Sequence, residues 1–208
     1  MQFSYLLSAF LATLAVATPV AHPDPDAAIV AARDDLYEGA GALLETRANI
    51  DTKPYELFSK VHSGLKDKEW YVFTQKFPLG ENFPHNENEQ NDVQKLQAKL
   101  GYAHIELVTG QVKEEKQKKD TKRDIINLTY HHLYKQQKVD NAPVGVESKT
   151  WKYDAKYDAK NFAFVKQTTK AKIDGLKDFN DKYKKDHKTY NVDNNNCLSY
   201  VNAAKSTL

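Results

Sequence analysis

The chain has little cysteine: one residue, Cys197, in 208. No internal disulfide can form, so the fold must rest on its core and its backbone pairing. Charge of one sign is also missing, since 30 Lys and Arg stand against 28 Asp and Glu. A nucleic-acid partner would call for a one-signed basic face, and none is expected here. No phosphate-binding glycine loop, Gly-x-Ser-x-Gly turn, His-Glu-x-x-His motif or cysteine metal site is present, and no cofactor or metal is expected. Long apolar runs are absent after the first residues. The one early run, Tyr5 to Ala17, falls short of the roughly 20 residues a membrane helix needs.

That run ends in Ala15-Val16-Ala17 and is followed by Thr18-Pro19, the pattern of a cleaved export signal. Residues 1–17 are therefore expected to be a signal peptide, and the mature protein to be secreted and extracellular with no transmembrane segment. Pro19, Pro23 and Pro25 open an Ala-rich and acid-rich stretch, read over residues 18–50 as a leader or flexible linker. Residues 51–208 are long enough for a single domain with its own core. The aromatic content, 11%, is too high for a disordered chain.

Within that domain the apolar pattern predicts a helix over 56–65, a strand at 70–74 and a loop over 78–91. Val93, Leu96 and Leu100 recur at helical spacing, and Gly101 stands where a helix-ending glycine belongs. A strand follows at 102–108, the charge run 113–124 reads as a solvated loop, and a second strand covers 125–134. Residues 151–160 alternate strictly, Trp151, Tyr153 and Tyr157 against Lys152, Asp154 and Asp158, as a strand with one wet face does. A strand over 162–168, a helix over 173–187 and a last helix opening at Cys197 complete an α+β domain. Its expected form is an antiparallel sheet with helices packed on one side.

Asn196 is a suitable N-cap, which puts Cys197 at the first helical position, where the helix end favours a thiolate. A leftover thiol is either reactive, bridged to another chain, or buried. A reactive one needs a base, and His104 stands inside a strand with Glu106 and Val108 on its face and Ile105 and Leu107 opposite. Tyr130-His131-His132-Leu133 offers a third polar member. Asn127-Leu128-Thr129 is a glycosylation sequon; a glycan would turn the odd-numbered face outward, so His132 is preferred as the inward residue and His131 is the runner-up.

Two segments, Tyr102-Ala-His104-Ile-Glu-Leu-Val108 and Tyr190-Asn-Val-Asp-Asn-Asn-Asn-Cys197-Leu-Ser-Tyr-Val201, resemble the permuted papain-like superfamily. That group includes the lecithin retinol acyltransferase type and permuted bacterial cell-wall amidases. The resemblance spans roughly residues 90 to 208. It implies a permuted papain-like fold in which Cys197 is the nucleophile, His104 its base, and His132 or His131 the third polar residue. The implied reaction cleaves or transfers an acyl or amide group through a thioester, on an ester or amide substrate. Where the acyltransferase branch has Glu-His-Phe after its cysteine, this chain has Leu198-Ser199-Tyr200. The alternative expectation is a non-catalytic secreted binding or host-interaction protein on the same fold.

Overall fold

The computed structural model describes residues 48–80, 91–137, 139 and 141–208. The expected signal segment, the leader up to residue 47 and the centre of the expected loop lie outside the described residues. A compact unit runs over Arg47–Leu208. Its elements are β1 (Ala48–Asp51), α1 (Lys53–Val61), β2 (Trp70–Phe77), α2 (Asn91–Leu100), β3 (His104–Lys116), β4 (Asp120–Lys135), β5 (Val144–Thr150), β6 (Phe162–Thr168), α3 (Lys170–Asp174), α4 (Leu176–Asp186) and α5 (Cys197–Thr207). The domain is α+β.

The sheet order is β1-β4-β3-β2-β6, with β5 also paired to β4. All pairings are antiparallel except β1 with β4. β1 begins ahead of the expected domain start at residue 51, and Arg123 on β4 holds its Asp51 through two nitrogens at 2.7 and 2.8 Å. That fork is the strong form of an ion pair.

Helices cover both faces rather than one. On the first face Tyr55, Leu57 and Phe58 of α1 pack with Tyr71, Phe73, Val108, Val112, Ile125, Trp151 and Phe162. On the second, Leu176 and Tyr183 of α4 and Tyr200, Val201 and Ala204 of α5 pack with Val72, Ile105, Leu107 and Leu133. β3 is buried at every position from His104 to Gly110 for this reason.

Three sequence expectations fail locally, each for a physical reason. The charge run 113–124 is not a loop but the far half of the β3–β4 hairpin. Lys113 faces Asp124, Glu114 faces Arg123 and Glu115 faces Lys122, so each cross-strand rung joins opposite charges. Residues 151–160 do not form a strand. Trp151 is buried and donates Nε1–H to Gln75 Oε1 at 2.7 Å. The carboxylates of Asp154 and Asp158 then accept the backbone N–H of Lys156 and Lys160, both at 3.0 Å. These Asx turns offer the backbone an alternative to a ladder, and they outweigh the alternation. The third concerns β4. Between Thr109↔Thr129 and Gln111↔Ile126 the register shifts, so Asn127 and Leu128 oppose Gly110 alone. Asn127 takes φ 55°. A Cβ on Gly110 would meet Ile125 Cγ2 at 2.7 Å and Leu128 Cδ2 at 2.8 Å, which fixes glycine there. The bulge changes the phase of β4, so Ile125 and Leu128 share one core despite their odd and even numbers.

Other expectations match. Gly101 ends α2 at φ 75°, with its N–H on Gln97 O. The expected helix over 173–187 is divided at Gly175 into α3 and α4.

Candidate functional site

The turn before α5 is built by its asparagines. Asn195 donates to Thr189 O at 2.6 Å, and Asn196 donates to Val192 O at 2.8 Å. Asn196 Oδ1 accepts the N–H of Leu198 and Ser199, while Ser199 Oγ accepts the N–H of Asn196, forming a full capping box. Cys197 is thus at the first helical position, as expected. Its thiol, 4% exposed, belongs to the second-face cluster with Tyr102, Ile105, Leu107 and Leu133.

α5 runs with its C-terminus at the Trp70 end of the sheet, where Leu208 O accepts from Thr168 Oγ1, the partner of Trp70. Cys197 therefore lies toward the opposite end, where Phe77 faces His104. Tyr102 is close enough to Cys197 to feel its charge: burial first, then the thiol, push the Tyr102 phenol up to about 12. Alternation along β3 nonetheless directs His104 to the first face, away from Ile105 and Leu107.

His104 and His132 are brought together. His132 Nε2 lies 3.4 Å from Glu147 Oε2, and its Nδ1 shares a hydrogen bond of 2.9 Å with His104 Nε2. Tyr130 OH reaches the same Glu147 oxygen at 3.2 Å, and Lys149 Nζ reaches the other at 2.5 Å. Burial pushes the Glu147 carboxyl up, but the hydrogen bonds from Lys149 and His132 outweigh it and hold the group below its usual range. Glu106 lies on this face too. It is 3% exposed, and burial pushes its carboxyl up to about 8. The result is a polar layer under the sheet, buried at His104, Glu106 and His132 and reaching the surface at Glu147 and Lys149.

His131 behaves differently. It was expected to face outward, yet it is 4% exposed. The bulge at Asn127 and the helices over the second face account for the difference. Ser148, its direct partner on β5, is exposed and lies with its Oγ 2.7 Å from His131 Nδ1. Tyr200 OH donates to Asn180 Oδ1 at 2.6 Å, which turns Asn180 Nδ2 toward Ser148 Oγ at 3.0 Å. Ser148 Oγ thus sits between Asn180 Nδ2 and His131 Nδ1, and the other ring nitrogen, Nε2, lies 3.2 Å from Thr109 Oγ1. Burial, and secondarily the charge of His132, lower His131 to about 4, so the ring is a neutral acceptor at pH 7.

Ser148, His131 and Asn180 open onto a cleft of about 600 Å³ between β4–β5 and α3–α4. An exposed hydroxyl, a neutral buried imidazole and an oriented amide can together remove a proton from a nucleophile and receive negative charge beside it. Ser148, Asn180 and Thr109 were missed from sequence. β5 carries Val144, Val146 and Ser148 at period two, which was the available signal.

Among the described residues no cluster of three or more His, Cys, Asp or Glu is arranged to hold a metal, and no helix is long and apolar enough to cross a membrane. Comparison with family models, with curated proteins and with solved structures gives no match.

Proposed function

We propose that this chain is an exported hydrolase that cleaves an ester or amide through an acyl-enzyme, with Ser148 as nucleophile and His131 as base. The observation that carries the reading is the hydroxyl of the exposed residue Ser148, 2.7 Å from Nδ1 of a buried, neutral His131. Export rests on the Tyr5–Ala17 run and the small residues that close it.

In the first half of the reaction the Oγ lone pair bonds to the substrate carbonyl carbon, and the hydroxyl proton passes to Nδ1. The carbonyl electrons move to oxygen, beside Asn180 Nδ2. They return as the bond to the leaving oxygen or nitrogen breaks, and Nδ1–H protonates that leaving group. In the second half a water gives its proton to Nδ1 and its oxygen to the acyl carbon. The Ser148 C–O bond breaks, and the serine recovers its proton from His131.

A second reading keeps Cys197 as nucleophile on a permuted papain-like fold, with His104 as base and His132 as its partner. It is favoured by the place of Cys197 at the start of a capped helix and by the His104–His132 hydrogen bond. Against it stand the apolar packing of the thiol and the direction of His104 toward the other face.

Labelling the folded protein with a fluorophosphonate distinguishes the two. The expected result is one adduct on Ser148, lost in Ser148→Ala and His131→Ala and kept in Cys197→Ser. Iodoacetamide alkylation of Cys197 in the folded state, slowed by His104→Ala, would overturn the serine reading in favour of the thiol. No reaction at either residue would leave a non-catalytic binding protein.

A further inference from the structure

We infer that the cleft beside Ser148 receives the acyl part of a neutral, short-chain aliphatic ester. The inference rests on the serine reading above and supplies its substrate.

On β5, Val146 and Ser148 are two residues apart, so their side chains leave the same face of the strand side by side. An acyl chain whose carbonyl carbon sits at Ser148 Oγ therefore runs directly over Val146. The opposite wall is Ile173 of α3 and Leu176 of α4. Leu176 is 1% exposed and forms the floor, while Val146 and Ile173 are half-buried and present apolar surface to the space between them.

The rim is charged but internally paired. Lys177 binds Asp181 at 3.1 Å, and Asp174 binds Lys170 at 2.6 Å. The cleft's own charged lining, Asp174, Lys177 and Asp181, has no excess of positive charge to hold an anionic head group, which favours a neutral acyl chain.

Length follows from the lining: the cleft of about 600 Å³ is open to solvent and only three apolar side chains line it, so the apolar contact it offers an acyl chain is short. Each methylene buried against these side chains is worth about a fourfold gain in transition-state binding, until the chain runs past Ile173 into water. The alcohol leaves with the proton from His131, and the acyl group remains on Ser148 until water removes it.

The test is a p-nitrophenyl ester series, acetate, butyrate, hexanoate, octanoate and palmitate, measured with the full chain beside fluorophosphonate labelling of Ser148. The expected kcat/KM rises by up to about 15-fold per two-carbon step from acetate, peaks between about four and eight carbons, and falls at palmitate. Ile173→Ser should lower the octanoate-to-acetate ratio about fivefold or more. Turnover and Ser148 labelling with a flat series would overturn the substrate while leaving the serine reading intact. So would a series that rises through palmitate. Absence of both turnover and labelling would remove both.

Discussion

The two faces of the central sheet use neighbouring histidines in opposite ways. His131 and His132 are adjacent on β4 and both buried, yet their hydrogen bonds lead to different places. His132 joins His104 and Glu147 beneath the first face, so its bonds tie three strands together. His131 is anchored by Thr109 on one nitrogen and meets the exposed Ser148 on the other. The burial is nearly equal; what differs is where the bonded chain ends. The His132 chain ends on a carboxylate already held by Lys149, whereas the His131 chain ends on a serine oxygen that lines a cleft and can meet a ligand.

The sharpest break of that comparison is activity. Ser148→Ala and His131→Ala should each reduce ester turnover by about 10³-fold or more, with urea midpoints close to the parent for Ser148→Ala. The acid limb of kcat/KM should fall near pH 4, where His131 takes up a proton, rather than near the ordinary 6.5. A limb at 6.5 would mean that another group is the base. His132→Ala should do the reverse. Its removal takes away the hydrogen bonds it shares with His104 and Glu147 and leaves a cavity in a fully buried site, and should cost about 3 kcal/mol in urea unfolding. If that variant keeps its stability and loses turnover instead, the assignment of the two faces is inverted.

A pH-dependent effect sharpens the picture of the first face. Glu106 is held at about 8 in the fold, against 4.5 for the free side chain. Between these values the folded state keeps a proton that the unfolded chain loses. Its contribution to stability is therefore full below pH 4.5 and is lost progressively up to pH 8. Glu106→Gln should unfold at the same urea concentration as the parent at pH 4 and should gain on it by about 4 kcal/mol at pH 8. Equal pH profiles would show that the carboxyl is not sealed.

Much of the fold was legible where one local rule acted alone. Trp70–Thr74 reads as a strand because its residues are β-formers, and Asn196 reads as a cap because its oxygen can accept an orphan helix N–H. The tandem Lys-Tyr-Asp-Ala misled because an aspartate supports both a wet strand face and an Asx turn, and only the buried anchor at Trp151 decides between them. The site was half visible. His131 and His132 were singled out together, but their facing was inferred from a strict alternation that the Asn127 bulge interrupts. Ser148 had only the period-two run Val144, Val146, Ser148 to mark it, which gives its face and not its partners. A serine on a short strand has no meaning until β5 pairs with β4 and α4 brings Asn180 beside it.

The charged rungs of the β3–β4 hairpin carry a consequence for how the strands find each other. A slip of two residues preserves which side chains face each core, so burial cannot veto it. The charges can. In the native register Lys113, Glu114 and Glu115 face Asp124, Arg123 and Lys122. Slipped one way, Lys113 would face Lys122 and Glu115 would face Asp120. Slipped the other way, Glu115 would face Asp124 and Lys116 would face Arg123. Both errors set two pairs of like charges against each other. The hairpin thus proofreads its own alignment by repulsion, along the stretch where no core reaches to do so.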